Sequence, residues 1–233
     1  MHYRNLTLIG TSHIAVESVN AVTDAILKEQ PAIVALELDR KRLPALLHPQ
    51  KAKASWKDIR RIGFKGWLFS IIGAWVERKL GEQVGMKPGA EMLQAIKAAK
   101  AVKAGIALVD QDIEITLKRF SQTFSWKEKW HLFVDIVKGV IFRKSEITFD
   151  LKTVPSQKTI SRLIKQVQKR YPNIYKVLVT ERNEVMARNL AYLMENNPNK
   201  KIVAVVGAGH EQELLKLIRE HLKPDISYSF QAV

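Results

Sequence analysis

The chain has 233 residues, 46% of them hydrophobic, and a formal net charge of +15. That length builds one substantial core, alone or with an elaborate insertion, so a single domain over 1–233 is expected. With no cysteine, thiolate catalysis, thiolate metal sites and disulfides are excluded, and any metal must rest on His, Asp and Glu.

In chain order, the apolar run Leu6 to Ile9 reads as a buried strand and leads into Gly10-Thr11-Ser12-His13. The run follows Arg4 and is too short for a signal peptide, which favours a cytoplasmic location. A helix from about Ala15 to Glu29, ended by Pro31, precedes a second buried strand over Ile33 to Leu38. The two strands of this βαβ unit should be parallel neighbours or nearly so. Glu37, Asp39, Arg40 and Arg42 follow at the exit of the second strand, on the sheet edge that carries His13. Ile62 to Val76 is apolar but short and holds Lys65, which suits a buried or interfacial helix better than a transmembrane span.

Pro88-Gly89-Ala90-Glu91 begins an alanine-rich helix through Lys103, with Pro88 suited to an early helical position and Gly105 closing it. A third strand, Ile106 to Val109, leads to Asp110-Gln111-Asp112, which opens a helix with Thr116 and Arg119. Helices around Ser156 to Arg170 and Asn173 to Asn196 come next, the second carrying Glu181, Arg182, Glu184 and Arg188. Beyond Pro198-Asn199, a fourth strand, Ile202 to Val206, enters Gly207-Ala208-Gly209-His210 and a last helix to about His221. A short strand is expected at Ile226 to Phe230.

The charge is uneven. Residues 40–79 hold 11 Lys/Arg against 2 Asp/Glu, and residues 118–176 hold 14 against 4, so the rest of the chain is slightly acidic. Both blocks read as amphipathic helical insertions, and they hold all five tryptophans. A helical cap with solvated lysines is the plain reading. Docking on an anionic membrane surface through residues 56–79 and 126–144 is the second, because Trp with Lys/Arg on an amphipathic helix suits that boundary. Nucleic acid ranks last, since no recognisable nucleic-acid module accompanies the charge.

The two Gly-x-x-His turns, at 10–13 and 207–210, each leave a strand and enter a helix. In one parallel sheet, both histidines would sit at the carboxyl edge, where open α/β folds collect ligands. A dinucleotide fingerprint needs a third glycine where Gln212 stands, so no nucleotide cofactor is expected. A zincin helix needs a second ligand where Leu214 stands. Two chemistries stay open. His13 and His210 with Glu37 or Asp110 offer nitrogen and oxygen ligands to a divalent ion. Alternatively, one His serves as general base oriented by Glu37, with Arg40 or Arg182 holding an anion or developing oxyanion. Simple ion pairing competes for Glu37 with Arg40 and for Glu184 with Arg188, and is favoured for the second pair.

Six separated motifs resemble the TraB/PrgY family in order and over nearly the entire chain. They are Gly10-Thr11-Ser12-His13, Pro31 to Arg40 with Glu37-Leu38-Asp39, Gly89-Ala90-Glu91-Met92, Val109 to Asp112 with Thr116 and Arg119, Glu181-Arg182-Asn183, and Val206 to His210. The family is similar to the TIKI proteins, regarded as divalent-metal-dependent proteases, and more distantly to erythromycin esterase and ChaN-like folds. The resemblance implies an α/β fold: a mixed, largely parallel central sheet flanked by helices, with the two basic insertions as a cap. It also implies a hydrolase of a peptide or related amide or ester, using Mn, Co or Zn. His13, Glu37 and His210 are the first residues carried over, then Glu91, Asp110, Arg119 and Arg182, with Glu181 and Arg188 as further substrate contacts. PrgY-like members shut down peptide pheromone signals, so non-catalytic peptide sequestration is the alternative. Many prokaryotic relatives continue into a hydrophobic C-terminal region, which implies either a soluble short form or the soluble part of a longer chain.

Overall fold

A computed structural model describes residues 1–11, 16–48, 89–142 and 157–223, together with Arg60 and Trp67. Five strands form one sheet: β1 (His2–Tyr3), β2 (Leu6–Thr11), β3 (Ile33–Leu36), β4 (Gly105–Leu108) and β5 (Ile202–Gly207). Their order is β1-β2-β5-β3-β4, with only the β1–β2 pair antiparallel. The expected mixed, largely parallel α/β sheet is therefore present. The strands of the first βαβ unit are not direct neighbours, because β5 inserts between them. This follows from composition: β5 is buried at all six positions, which only a central strand with both faces covered can be.

Among the described residues the continuous helices are α1 (Val16–Glu29), α2 (Arg42–Leu47), α3 (Ala90–Ala101), α4 (Ile113–Thr123), α5 (Trp126–Phe142), α6 (Gln157–Arg170), α7 (Pro172–Tyr175), α8 (Glu181–Asn196) and α9 (Glu211–His221). Period-2 alternation along β5 sorts the core into two layers. Ile202, Ala204 and Val206 pack with Met186, Leu190 and Met194 of α8 and Leu214 and Ile218 of α9. Val203 and Val205 pack with Val22 and Ile26 of α1 and Ala95, Ile96 and Ala99 of α3.

Local chemistry departs from expectation in three places. Helix α3 starts at Ala90 behind Gly89, whose φ of 77° puts the left-handed turn just before the helix. It is closed by Lys103, at φ 57°, while Gly105 already pairs with Ile33 in the sheet. The long helix expected from Asn173 is divided by a π-helical turn at Lys176–Thr180, immediately ahead of Glu181 and Arg182.

Of the first basic block, residues 40–48, Arg60 and Trp67 are described; the apolar run 62–76 otherwise lies outside the described residues, as does the expected strand at 226–230. The second block supplies α5 and α6, and a methyl built on Gly209 would stand 3.6 Å from Ile164 Cδ1 of α6. Among the described residues no helix is long and apolar enough to cross a membrane.

Gly10 is required by close approach. A Cβ there would lie 2.6 Å from Glu211 Oε2 and 3.2 Å from Ala208 Cα, and Glu211 is buried. Gly10→Ala should cost about 1–3 kcal/mol by overpacking, read as a lower urea midpoint. An unchanged midpoint would show that Glu211 can yield.

Candidate functional site at the carboxyl edge of the sheet

The register brings the first residues of the two glycine motifs onto adjacent strands. Gly10 pairs with Val206 and Thr11 with Gly207. Thr11 Oγ1 donates to Val206 O at 3.2 Å, and Ala208 N to Thr11 O at 2.8 Å, tying the turns together. The exits of β3 and β4 place Glu37 and Asp110 on the same edge.

Arg182 joins these two carboxylates. It donates from Nη2 to Glu37 Oε1, from Nε to Asp110 Oδ1 at 3.0 Å and from Nη2 to Asp110 Oδ2 at 2.7 Å, while Nη1 donates to Leu178 O in the π-turn at 3.1 Å. Burial opposes the guanidinium charge, but the attraction of Glu37 and the bonds to Asp110 outweigh it and hold Arg182 above its ordinary value. Arg42 reaches Asp110 from the other side and also binds Asp39. Asp39 Oδ1 accepts the N–H groups of Lys41 and Arg42 at 2.8 and 3.1 Å, which turns the chain into α2. Three carboxylates thus share two guanidinium groups.

His210 completes the group. Its Nδ1 lies 2.6 Å from Asn183 Oδ1, and its Nε2 lies 3.4 Å from Glu37 Oε1. Glu37 Oε2 accepts Gly207 N–H at 2.6 Å, so the second turn grips the carboxylate that faces its own histidine.

The pair that could contribute to a divalent-ion site is His210 Nε2 with Glu37 Oε1. An imidazole anchored through Nδ1 directs Nε2 toward Glu37 Oε1, at a separation that two ligands of one ion commonly have. Both oxygens of Asp110 are taken by guanidinium and backbone N–H groups, as those of Glu37 are by Arg182 and Gly207 N–H; the binding of two arginines to Asp110 makes it the poorer metal ligand. Among the described residues, no three His, Asp or Glu side chains form a ready ligand cluster.

The profile of the TraB/PrgY/gumN family matches residues 2–221. The chain belongs to this family. An uncharacterized protein of Methanocaldococcus jannaschii is 33% identical over 219 residues, covering 93% of the chain and 54% of that protein. The TraB domain-containing proteins of Mus musculus and Homo sapiens are each 25% identical over 228 residues, covering 87% of the chain and 60% of each relative. The chain therefore spans a little over half the length of these relatives.

Within this TraB-family domain, the structure brings together Glu37, Asp110, Arg182 and His210. His13 lies outside the described residues. Arg40 is exposed and does not pair with Glu37; the Asp39 turn brings Arg42 back over the edge, where it binds Asp39 and Asp110. Arg119 and Glu181 bind each other through two hydrogen bonds, at 3.2 and 2.6 Å. Glu91 is fully buried in the first turn of α3. Arg188 is exposed on α8, and Glu184 pairs with His221 at 3.0 Å rather than with Arg188. Sequence reasoning placed Asp39, Arg42 and Asn183 nearby without assigning them to the site. The Asp-x-x-Arg spacing at 39–42 is the one local signal that marks two of them.

Proposed function

We propose that this TraB-family chain is a hydrolase of a peptide or related amide or ester, with its working centre at His210 and Glu37. The observation that supports this reading is their juxtaposition at the carboxyl edge of a parallel sheet, beside an arginine-carboxylate network that holds Glu37 in place. His210, Glu37 and His13 would hold Mn, Co or Zn, and a bound ion supplies an activated water at neutral pH. Glu37 is oriented by Gly207 N–H and Arg182, and His210 by Asn183. Asp110 spaces Arg42 and Arg182.

The test is metal analysis of the purified protein with an esterase, peptidase and phosphatase panel. His210→Ala and Glu37→Gln should each lower turnover about 100-fold or more, the range of a lost acid-base or metal-ligating group. No bound metal, with hydrolysis unchanged in a His13→Ala, His210→Ala double variant, would defeat it.

A second reading is supported by helix α5. Trp126 and Trp130, one turn apart, are 83% and 65% exposed, and Lys129 Nζ sits 4.1 Å over the Trp126 ring. Aromatic and cationic groups on one exposed helix suit an anionic lipid surface. In this reading the domain docks on a membrane or sequesters a peptide without cleaving it. Co-sedimentation with phosphatidylserine vesicles, absent with phosphatidylcholine and lost in Trp126→Ala with Trp130→Ala, is its expected result. No binding to either vesicle at low salt would reject docking.

A further inference from the structure

Arg182 and Asn183 are consecutive residues of α8, so their side chains diverge by about 100° around the helix. They hold the two halves of one pair: Arg182 binds Glu37 Oε1, and Asn183 binds the imidazole whose Nε2 faces that same oxygen. Asn183 is completely buried, and its Nδ2 has no protein acceptor among the described residues. A buried amide with one hydrogen bond is an expensive way to fill core space, where an apolar side chain of that size would leave no donor unmet.

We infer that Asn183 is a positioning residue, which holds the His210 proton on Nδ1 and so presents the Nε2 lone pair beside Glu37. The inference rests on His210 and Glu37 being the working centre. With Asn183 Oδ1 turned to the ring at 2.6 Å, an oxygen that only accepts, the arrangement places a proton on Nδ1. Neutral imidazole then has its lone pair on Nε2, the form needed to ligate a cation or take a proton. An apolar residue at 183 removes that acceptor. The proton then moves to Nε2, where Glu37 Oε1 at 3.4 Å accepts it, and the nitrogen that the site uses is blocked.

The experiment is a ring-nitrogen NMR correlation spectrum of histidine-labelled protein, with chelator and at alkaline pH. The His210 signals are assigned by their loss in His210→Gln. The wild type and Asn183→Asp should show the proton on Nδ1, because a carboxylate is also an acceptor, and Asn183→Leu should show it on Nε2. Zinc titration by calorimetry should give binding about 10–100-fold weaker for Asn183→Leu, the usual effect of removing a ligand's orienting partner, and within a few-fold of wild type for Asn183→Asp. A wild-type proton on Nε2, or a folded Asn183→Leu protein with unchanged tautomer, overturns the inference. Should Asn183→Leu not fold, the wild-type and Asn183→Asp spectra still decide it. Wild-type protein that binds no zinc defeats metal assistance in the proposed function, and the spectra then judge Asn183 separately.

Discussion

Arg182→Met should destabilise the domain by about 3–5 kcal/mol, the range found when one member of a buried ionic cluster is removed. The reason is geometric. Arg182 contacts both Glu37 and Asp110, residues that reach the sheet edge from different strands. Without it, two buried carboxylates face each other across the gap it filled, and Asp110 keeps Arg42 while Glu37 loses its guanidinium partner. Arg182→Lys should recover less than half of the loss, because one ammonium cannot reproduce a planar fork bonded to two acids. Urea unfolding of the three proteins measures this, and a double-mutant cycle with Glu37→Gln isolates the coupling. A loss below about 1 kcal/mol would mean that the carboxylates relax or protonate at no cost, and that the network does not hold Glu37.

The second large effect is expected at Glu128, which is 2% exposed yet joins two helix starts. Ser125 Oγ accepts Glu128 N–H at 3.3 Å, and Glu128 Oε2 accepts from Ser125 N–H at 3.1 Å, a capping box at the start of α5. Across 45 residues of chain, Glu128 Oε1 also accepts the N–H groups of Asn173 and Ile174, at 2.7 and 3.2 Å, at the start of α7. Glu128→Ala removes both caps and should cost about 2–4 kcal/mol, twice the loss of an ordinary cap. Burial raises the Glu128 pKa, but the hydrogen bonds from Asn173 and Ser125 more than reverse this, and the carboxyl is held below its ordinary value of 4.5. A depressed folded value gives stability that is fully present above the unfolded value and is lost as pH falls through the folded one. The difference in stability between wild type and Glu128→Gln should therefore shrink as pH is lowered below about 4.5, and it should be flat between pH 6 and 8. A constant difference across the acid range would show that Glu128 contributes packing and not charge-assisted capping.

Both effects sit at the limit of what one-dimensional reading reaches. Ser125-x-x-Glu128 is a capping-box spacing visible in the chain, whereas its use for a second helix at Asn173 depends on how α5 and α7 meet. The same holds for the arginines. On spacing, Arg40 is the arginine offered to Glu37. Asp39 instead turns the backbone into α2, which leaves Arg40 exposed and brings Arg42 to Asp39 and Asp110, while Glu37 takes Arg182 from a distant helix.

The four parallel strands, the main helices and the carboxylates at strand exits, though not the two-residue antiparallel strand β1, were legible in the residues, because periodicity, turn chemistry and strand polarity are local properties. So was the TraB-family resemblance, carried by short ordered motifs. Partner choice was not legible. Arg182 meets Glu37 across 145 residues and Asp110 across 72, and His210 meets Asn183 across 27. Those meetings follow from β5 entering between β2 and β3 and from the π-turn that sets the phase of α8. Strand order and helix phase are settled by burying both faces of β5 at once, a condition of the packed core that no local stretch of chain contains.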